Sequence, residues 1–199
     1  MNKLVADWVV RLHQKKVKYL IELIEPLLGE SKKVLDLGCG SGEVSKALME
    51  SGYLVTSVDV VDKVKVDGVK VLVYDGVNIP FKDKQFEMVL LITVLHHVND
   101  FEKLLIEAGR VAKKVIVVED VYENWWDRLN IWFWDSVLNL EFFGHPHQNR
   151  DDAGWKKVFG EIGFELLTER SGKIRELVYE FKQKAYLIQR RSDTAKQGV

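Results

Sequence analysis

The run Val34-Leu35-Asp36-Leu37-Gly38-Cys39-Gly40-Ser41-Gly42 decides the reading of this chain. Residues 33–37 are mostly apolar and end in glycine, which is the pattern of a short buried strand. Three glycines at alternate positions then let the backbone turn tightly and lie against a ligand with no Cβ in the way. A helix is predicted over residues 43–51, closed by Gly52, and a helix start offers backbone N–H groups without helical partners. Strand, glycine turn and helix together suit a nucleotide-like ligand. The dinucleotide fingerprint G-x-G-x-x-G is not met, because its third glycine would fall at Glu43. That argues against a nucleotide-dependent oxidoreductase. Asp36 is poorly matched to a pyrophosphate and well matched to a ligand carrying an ammonium group. Taken alone, the loop also reads as an ordinary tight turn.

Working outward, the apolar pattern predicts further strands at 53–58, 69–74, 86–92 and 115–118, with a helix at 100–111. One or two amphipathic helices are expected over 4–28, stopped by Gly29. The region 123–143 is dense in aromatics and reads as helical. Another helix is expected at 153–162, capped by Asp151 or Asp152. Two late strands at 164–170 and 180–189 read as a hairpin at a sheet edge, and the polar tail 191–199 as frayed. Strands alternating with helices imply an α/β fold: a Rossmann-like, seven-stranded, mostly parallel sheet with helices on both faces and an antiparallel late strand. In such sheets ligands sit at the carboxyl ends of the strands, near the point where strand order reverses. Candidate residues therefore follow Asp36, Val58, Tyr74, Ile92 and Val118.

Three further segments fall at those places. Asp59 ends the second strand, where a carboxylate can accept from both ribose hydroxyls; its bland reading is a solvated turn residue. Tyr74-Asp75-Gly76 follows the third strand, and Ile79-Pro80-Phe81 leads towards the fourth. Thr93-Val94-Leu95-His96-His97-Val98 follows the fourth. This ordered series, D-L-G-C-G-S-G, V-D, Y-D-G with I-P-F, then L-H-H-V, resembles the class I S-adenosylmethionine-dependent methyltransferases. It looks most like their small-molecule "type 11" group, which includes quinone-biosynthesis C-methyltransferases. The resemblance covers residues 33–119. It implies S-adenosyl-L-methionine as cofactor, with Asp36, Gly38 and Gly40 at its methionine end and Cys39, Ser41 and Gly42 lining the loop. It further implies Asp59 on the ribose, Asp75 and Gly76 on the adenine, and Thr93, Val94 and His97 beside the ammonium group. Glu87 replaces the family's usual aspartate at a mainly structural position. The short segment 60–70 is expected to hold only a trimmed helix, leaving the adenine side open. The implied organisation is a single domain over 1–199. Its parts are a helical cap (1–30), a cofactor-binding half (33–119), an aromatic helical cap over the substrate (120–162) and C-terminal strands (163–190).

The acceptor is less legible. Trp125, Trp126, Trp132 and Trp134, with Phe133, Phe142 and Phe143, can pack in the core, line a pocket, or form an exposed patch for a membrane surface or partner. The pocket reading places an apolar acceptor site between this segment and the helix bearing Trp8 and Tyr19. Candidate catalytic groups are His97, Asp120, His145 and His147, and Glu119 and Asp120 face the same crevice. His145-Pro146-His147 lacks a carboxylate partner, so no metal is expected. Transfer to O, N or C of a small, apolar or aromatic molecule follows; a non-catalytic cofactor-binding partner subunit is the alternative. The net charge of -1 disfavours nucleic acid. Cys39 is the single cysteine, so the chain forms no internal disulfide, which fits a cytoplasmic setting. The N-terminus lacks the pattern of a signal peptide, and no apolar run has the length of a membrane helix. Oligomeric state is not encoded in any motif.

Overall fold

A computed structural model describes residues 3–139, 149–176 and 179–191; the side chains of 3–10, 132, 133, 135–139 and 176 lie outside that description. In chain order the elements are α1 (Lys3–Leu28), β1 (Lys33–Leu37), α2 (Glu43–Glu50), β2 (Leu54–Asp59), β3 (Val71–Val73), β4 (Phe86–Ile92), a 3-10 turn (Leu95–His97), α3 (Phe101–Val111), β5 (Ala112–Asp120), α4 (Trp125–Asn139), α5 (Asp152–Glu161), β6 (Phe164–Glu176) and β7 (Tyr179–Arg190).

The seven strands form one sheet in the order β3-β2-β1-β4-β5-β7-β6. The first five are parallel, and β7 runs antiparallel to both β5 and β6. Period-two alternation sorts the strand side chains to two faces. Leu35, Leu37, Val89, Leu91, Val115 and Val117 meet Leu104, Leu105 and Ala108 of α3 and Trp155 and Phe159 of α5. Val34, Met88, Leu90, Ile116 and Val118 meet Leu20, Ile24 and Leu27 of α1 and Leu48 of α2. Helices therefore cover both faces, and the strands read as unbroken apolar runs because both their sides are buried. A small third cluster, Ile131, Ile174 and Phe181, joins α4 to the far end of the β6–β7 hairpin and touches Tyr19, Tyr122, Trp134 and Tyr179.

Residues 60–70 form no helix, which corrects the expectation of a trimmed one. Valine and glycine are weak helix formers, and here the valines have another use. Val64, Val66 and Val69 converge on Gly42, where an added Cβ would meet each of them at 3.2–3.3 Å. Lys65 N–H donates to the Ser41 carbonyl at 3.0 Å and ties the segment to the glycine loop. Glu87 has the structural role expected of it, accepting from the Lys32 and Lys33 N–H groups at 2.5 and 3.1 Å where β1 begins. The polar tail 192–199 lies outside the described residues.

Candidate cofactor site

Strand order reverses between β1 and β4, and the site opens at their carboxyl ends. The glycine loop leaves β1 with Gly38, Gly40 and Gly42 all at positive φ, 82°, 52° and 80°. The Gly38 and Cys39 N–H groups donate to the Val58 carbonyl at 2.8 and 3.1 Å, which locks the loop onto β2. Gly38 and Gly40 serve different ends. A Cβ on Gly38 would strike Val94 Cγ2 at 2.5 Å, whereas one on Gly40 would meet nothing within 4 Å and would project into open space. Gly38 is thus required by the protein's own packing, and Gly40 keeps room for something else.

Two adjoining cavities share Gly38 and Thr93. The larger, about 320 Å³, is walled by Asp59, Val60, Lys63, Tyr74, Gly76, Val94 and His97 among others. Asp59 Oδ2 accepts from Gly40 N–H at 2.8 Å and its Oδ1 from Val60 N–H at 2.7 Å, so the carboxylate is aimed before any ligand arrives. The smaller cavity, about 220 Å³, is walled by Asp36, Cys39, Gly40, Ser41, Glu43 and Thr93 on one side and by α1 on the other. Asp36 is almost wholly buried and accepts from Ser45 Oγ at 2.6 Å. Burial pushes its carboxyl up to about 6, against the lowering effect of the Ser45 hydrogen bond. A cationic ligand group beside it would restore the charged form. Burial likewise pushes the Cys39 thiol up to about 12, which keeps it neutral in the loop.

Thr93 stands between the cavities with φ 54°, a left-handed conformation that costs a threonine about 1–3 kcal/mol. Its N–H donates to the Val118 carbonyl at 2.8 Å. The turn that follows is held by Glu119, whose Oε1 accepts from the Val94 and Leu95 N–H groups at 3.1 and 2.7 Å. Glu119 Oε2 lies 2.5 Å from Nδ1 of buried His96. The expectation that Glu119 faces substrate is therefore corrected: it is fully buried and occupied in fixing the turn. His97 lies against His96, ring centroids 4.0 Å apart, and lines the larger cavity.

Of the cofactor residues expected from sequence, Asp36, Gly38, Cys39, Gly40, Ser41, Asp59, Gly76, Thr93, Val94 and His97 wall one cavity or the other. Asp75 is in neither wall. Its carboxylate accepts from the Val77 and Asn78 N–H groups at 2.8 and 2.7 Å and shapes the turn that presents Gly76. Gly42 is the left-handed residue that opens α2. Asp120 ends β5 nearly buried, accepting from Gln183 Nε2 at 2.9 Å. His145 and His147 lie outside the described residues, as do Phe142, Phe143 and the side chains of Trp8, Trp132 and Phe133. Trp125 and Trp126 stack on each other with centroids 3.7 Å apart and are 59% and 60% exposed, so neither packs in the core, and neither walls either of these two cavities. Among the described residues no cluster of three His, Cys, Asp or Glu is arranged to hold a metal.

Sequence reasoning missed His13, Lys16, Val17 and Leu20, the stripe of α1 that closes the smaller cavity. They follow an i, i+3, i+4, i+7 spacing, but the two polar members, His13 and Lys16, interrupt the apolar pattern. Gln183 was missed as well. It lies in the inward row Phe181, Gln183, Ala185, Leu187 of β7, and a polar residue in a buried row is itself a signal.

This fold and loop series are similar to those of the class I S-adenosylmethionine-dependent methyltransferases. Residues 35–115 match the family described as "Methyltransferase domain". An uncharacterized protein of Methanocaldococcus jannaschii is 38% identical over 124 residues, covering 58% of this chain and 52% of that protein. A ubiquinone biosynthesis O-methyltransferase of Rickettsia felis is 26% identical over 180 residues, covering 84% of this chain and 72% of that one. The chain spans about half the length of the first curated relatives it matches, or less. Among solved structures, a SAM-dependent methyltransferase of Thermotoga maritima, described as a possible histamine N-methyltransferase, superposes with TM-score 0.69 at 18% identity. The superposition covers 95% of this chain and 97% of that one, and the likeness is one of fold. No described helix is long and apolar enough to cross a membrane.

Proposed function

We propose that the protein transfers the methyl group of S-adenosyl-L-methionine to O, N or C of a small, apolar or aromatic acceptor. The observation that carries this is the pair of cavities joined at Gly38 and Thr93, one offering Asp59 and Gly76 and the other Asp36. That division suits a ligand with a nucleoside at one end and an ammonium-bearing chain at the other. The cofactor would supply a methyl group activated on a sulfonium, and the protein would supply binding and alignment.

Asp120 is the residue best suited to orient the acceptor. Burial raises its carboxyl to about 6, while His96, Gln183 and Lys16 pull the other way. Its charge also reaches Tyr19 and Tyr179, both raised first by burial. These rings border the apolar cluster of Ile131, Ile174 and Phe181, a setting for a flat, apolar molecule rather than a sugar phosphate. The ubiquinone-biosynthesis name of the Rickettsia felis relative agrees with that class of acceptor. His145 and His147 remain proposed contributors.

The test is incubation with methyl-labelled cofactor and fractionated cell extract, followed by identification of labelled product. Label in an apolar fraction is expected. Tight binding of S-adenosylhomocysteine with no labelled product from any fraction would instead favour the non-catalytic partner subunit. Asp120→Asn should lower transfer at least tenfold while leaving S-adenosylhomocysteine affinity within about twofold by calorimetry; equal loss of both would remove Asp120 from the acceptor side.

A further inference from the structure

The smaller cavity has two charged walls. Asp36 stands at the end of β1, and across from it α1 contributes Lys16, the one lysine or arginine among the residues that line this cavity. Glu43 is also present, but its Oε2 lies 3.3 Å from Ser41 Oγ and 3.4 Å from His13 Nδ1. Glu43 and Val44, the first two residues of α2, complete the wall. Backbone N–H groups in a first turn lack helical acceptors and attract an anion. A ligand with only an ammonium group would be matched by Asp36 alone. The cation on α1 and the helix start would then face nothing of opposite sign on that ligand.

We infer that Lys16, assisted by the first turn of α2, binds the α-carboxylate of the cofactor, so that α1 is part of the cofactor site. This rests on the cofactor reading above and adds a specific partner to it. The amino-acid end of S-adenosylmethionine carries both charges, and a cavity with Asp36 at one wall and Lys16 at the other is complementary to that zwitterion. A half-enclosed carboxylate without a counter-charge would be costly to desolvate. The four-carbon stem of lysine lets its ammonium travel to meet a ligand.

Decarboxylated S-adenosylmethionine keeps the nucleoside, the sulfonium and the ammonium and lacks only the carboxylate, which makes it the discriminating probe. Both it and S-adenosylmethionine are titrated against the parent protein, Lys16→Met and Lys16→Arg. Loss of a hydrogen bond to a charged group predicts a tenfold to roughly hundredfold weaker S-adenosylmethionine in Lys16→Met. The decarboxylated probe should bind that variant as well as it binds the parent, and Lys16→Arg should recover most of the loss. Equal weakening of both ligands would mean that Lys16 supports the fold, and would overturn the inference. So would unchanged S-adenosylmethionine affinity accompanied by impaired transfer, which would assign Lys16 to the acceptor. Failure of the parent protein to bind either ligand would overturn the cofactor reading itself, and this inference with it.

Discussion

Two tryptophans of the same chain sit in opposite surroundings. Trp155 on α5 is fully buried, edge-on to Phe101 at 5.7 Å and stacked with Phe159 at 6.1 Å. Trp126 on α4 is 60% exposed and touches the face of Trp125. The helices that bear them belong to different tasks. α5 closes one face of the parallel sheet, where every inward side chain has sheet on one side and helix on the other. α4 lies over the outer end of the β6–β7 hairpin, where, among the described side chains, Ile131 is enclosed while Trp125, Trp126 and Leu129 stand exposed. The aromatic content of residues 120–162 is therefore no guide to burial. What decides it is whether a strand of the main sheet lies underneath.

The largest expected effect tests the sheet side. Trp155→Ala should destabilise the fold by about 3–5 kcal/mol in urea or guanidinium unfolding, the range for truncating a buried tryptophan. A loss under about 1 kcal/mol would contradict the packing described here.

Next comes the ligand side of the glycine loop. Gly40→Ala places a methyl in the open space beside Asp59. At φ 52° the alanine costs about 1 kcal/mol of backbone strain, so the fold should survive. Cofactor affinity should fall at least tenfold in a calorimetric titration with S-adenosylhomocysteine. An unchanged affinity would show that Gly40 keeps room for nothing.

A sign-dependent effect is expected at Asp36. Burial raises its carboxyl to about 6 from 3.8, so between those values the native state holds a proton that the unfolded chain has released. Native stability therefore falls as pH rises through that window. Asp36→Asn keeps an acceptor for Ser45 and removes the charge. At pH 7 it should unfold at higher urea, by roughly 2–3 kcal/mol, with the advantage gone below pH 4. Its S-adenosylhomocysteine affinity should be weak at all pH values, whereas the parent's should decline as pH drops through 6. Asp120, raised to the same level, leaves the variant part of the original stability slope. A variant less stable than the parent at pH 7 would count against the buried charge.

The smallest effect returns to α4. Trp126→Ala should cost no more than about 1 kcal/mol, the scale of one aromatic pair. Because Trp126 walls neither cavity, cofactor affinity should not move. A loss comparable to that of Trp155→Ala would erase the distinction between the two helices.

Much of this architecture could be read from residue pattern, for identifiable reasons. Strands β1 and β4 have the bounds expected because apolar runs buried on both faces stop abruptly at glycine or at a polar turn. β5 is longer than its apolar centre suggests, because Lys113, Lys114, Glu119 and Asp120 extend the ladder with charged residues. The hairpin also outruns expectation: residues 171–176 are largely polar, yet Gly172 and Lys173 pair with Gln183 and Lys182. In the site, Asp36, Gly40, Asp59 and Thr93 were legible because each lies at or just beyond the carboxyl end of a strand in a parallel sheet. Glu119 and Lys16 were not. Whether a strand-end glutamate turns to solvent or captures two backbone N–H groups and His96 depends on where the β4 turn lies. Which side of α1 meets the cavity depends on how that helix seats on α2. Neither fact is local in sequence.

The place of β7 in the sheet has a consequence for how the protein is made. β5 is paired with β4 on one side, but its other neighbour is the last of the described strands, and α4, α5 and β6 are synthesised in between. Until β7 arrives, Val115 to Val118 border an open sheet edge, the kind of edge to which a second unfinished chain can pair. Folding of the parallel half can begin during translation but cannot be sealed there. A premature stop between residues 105 and 178 would lose β7 yet spare every residue of the two cavity walls, and any β5 made would keep an unpaired edge.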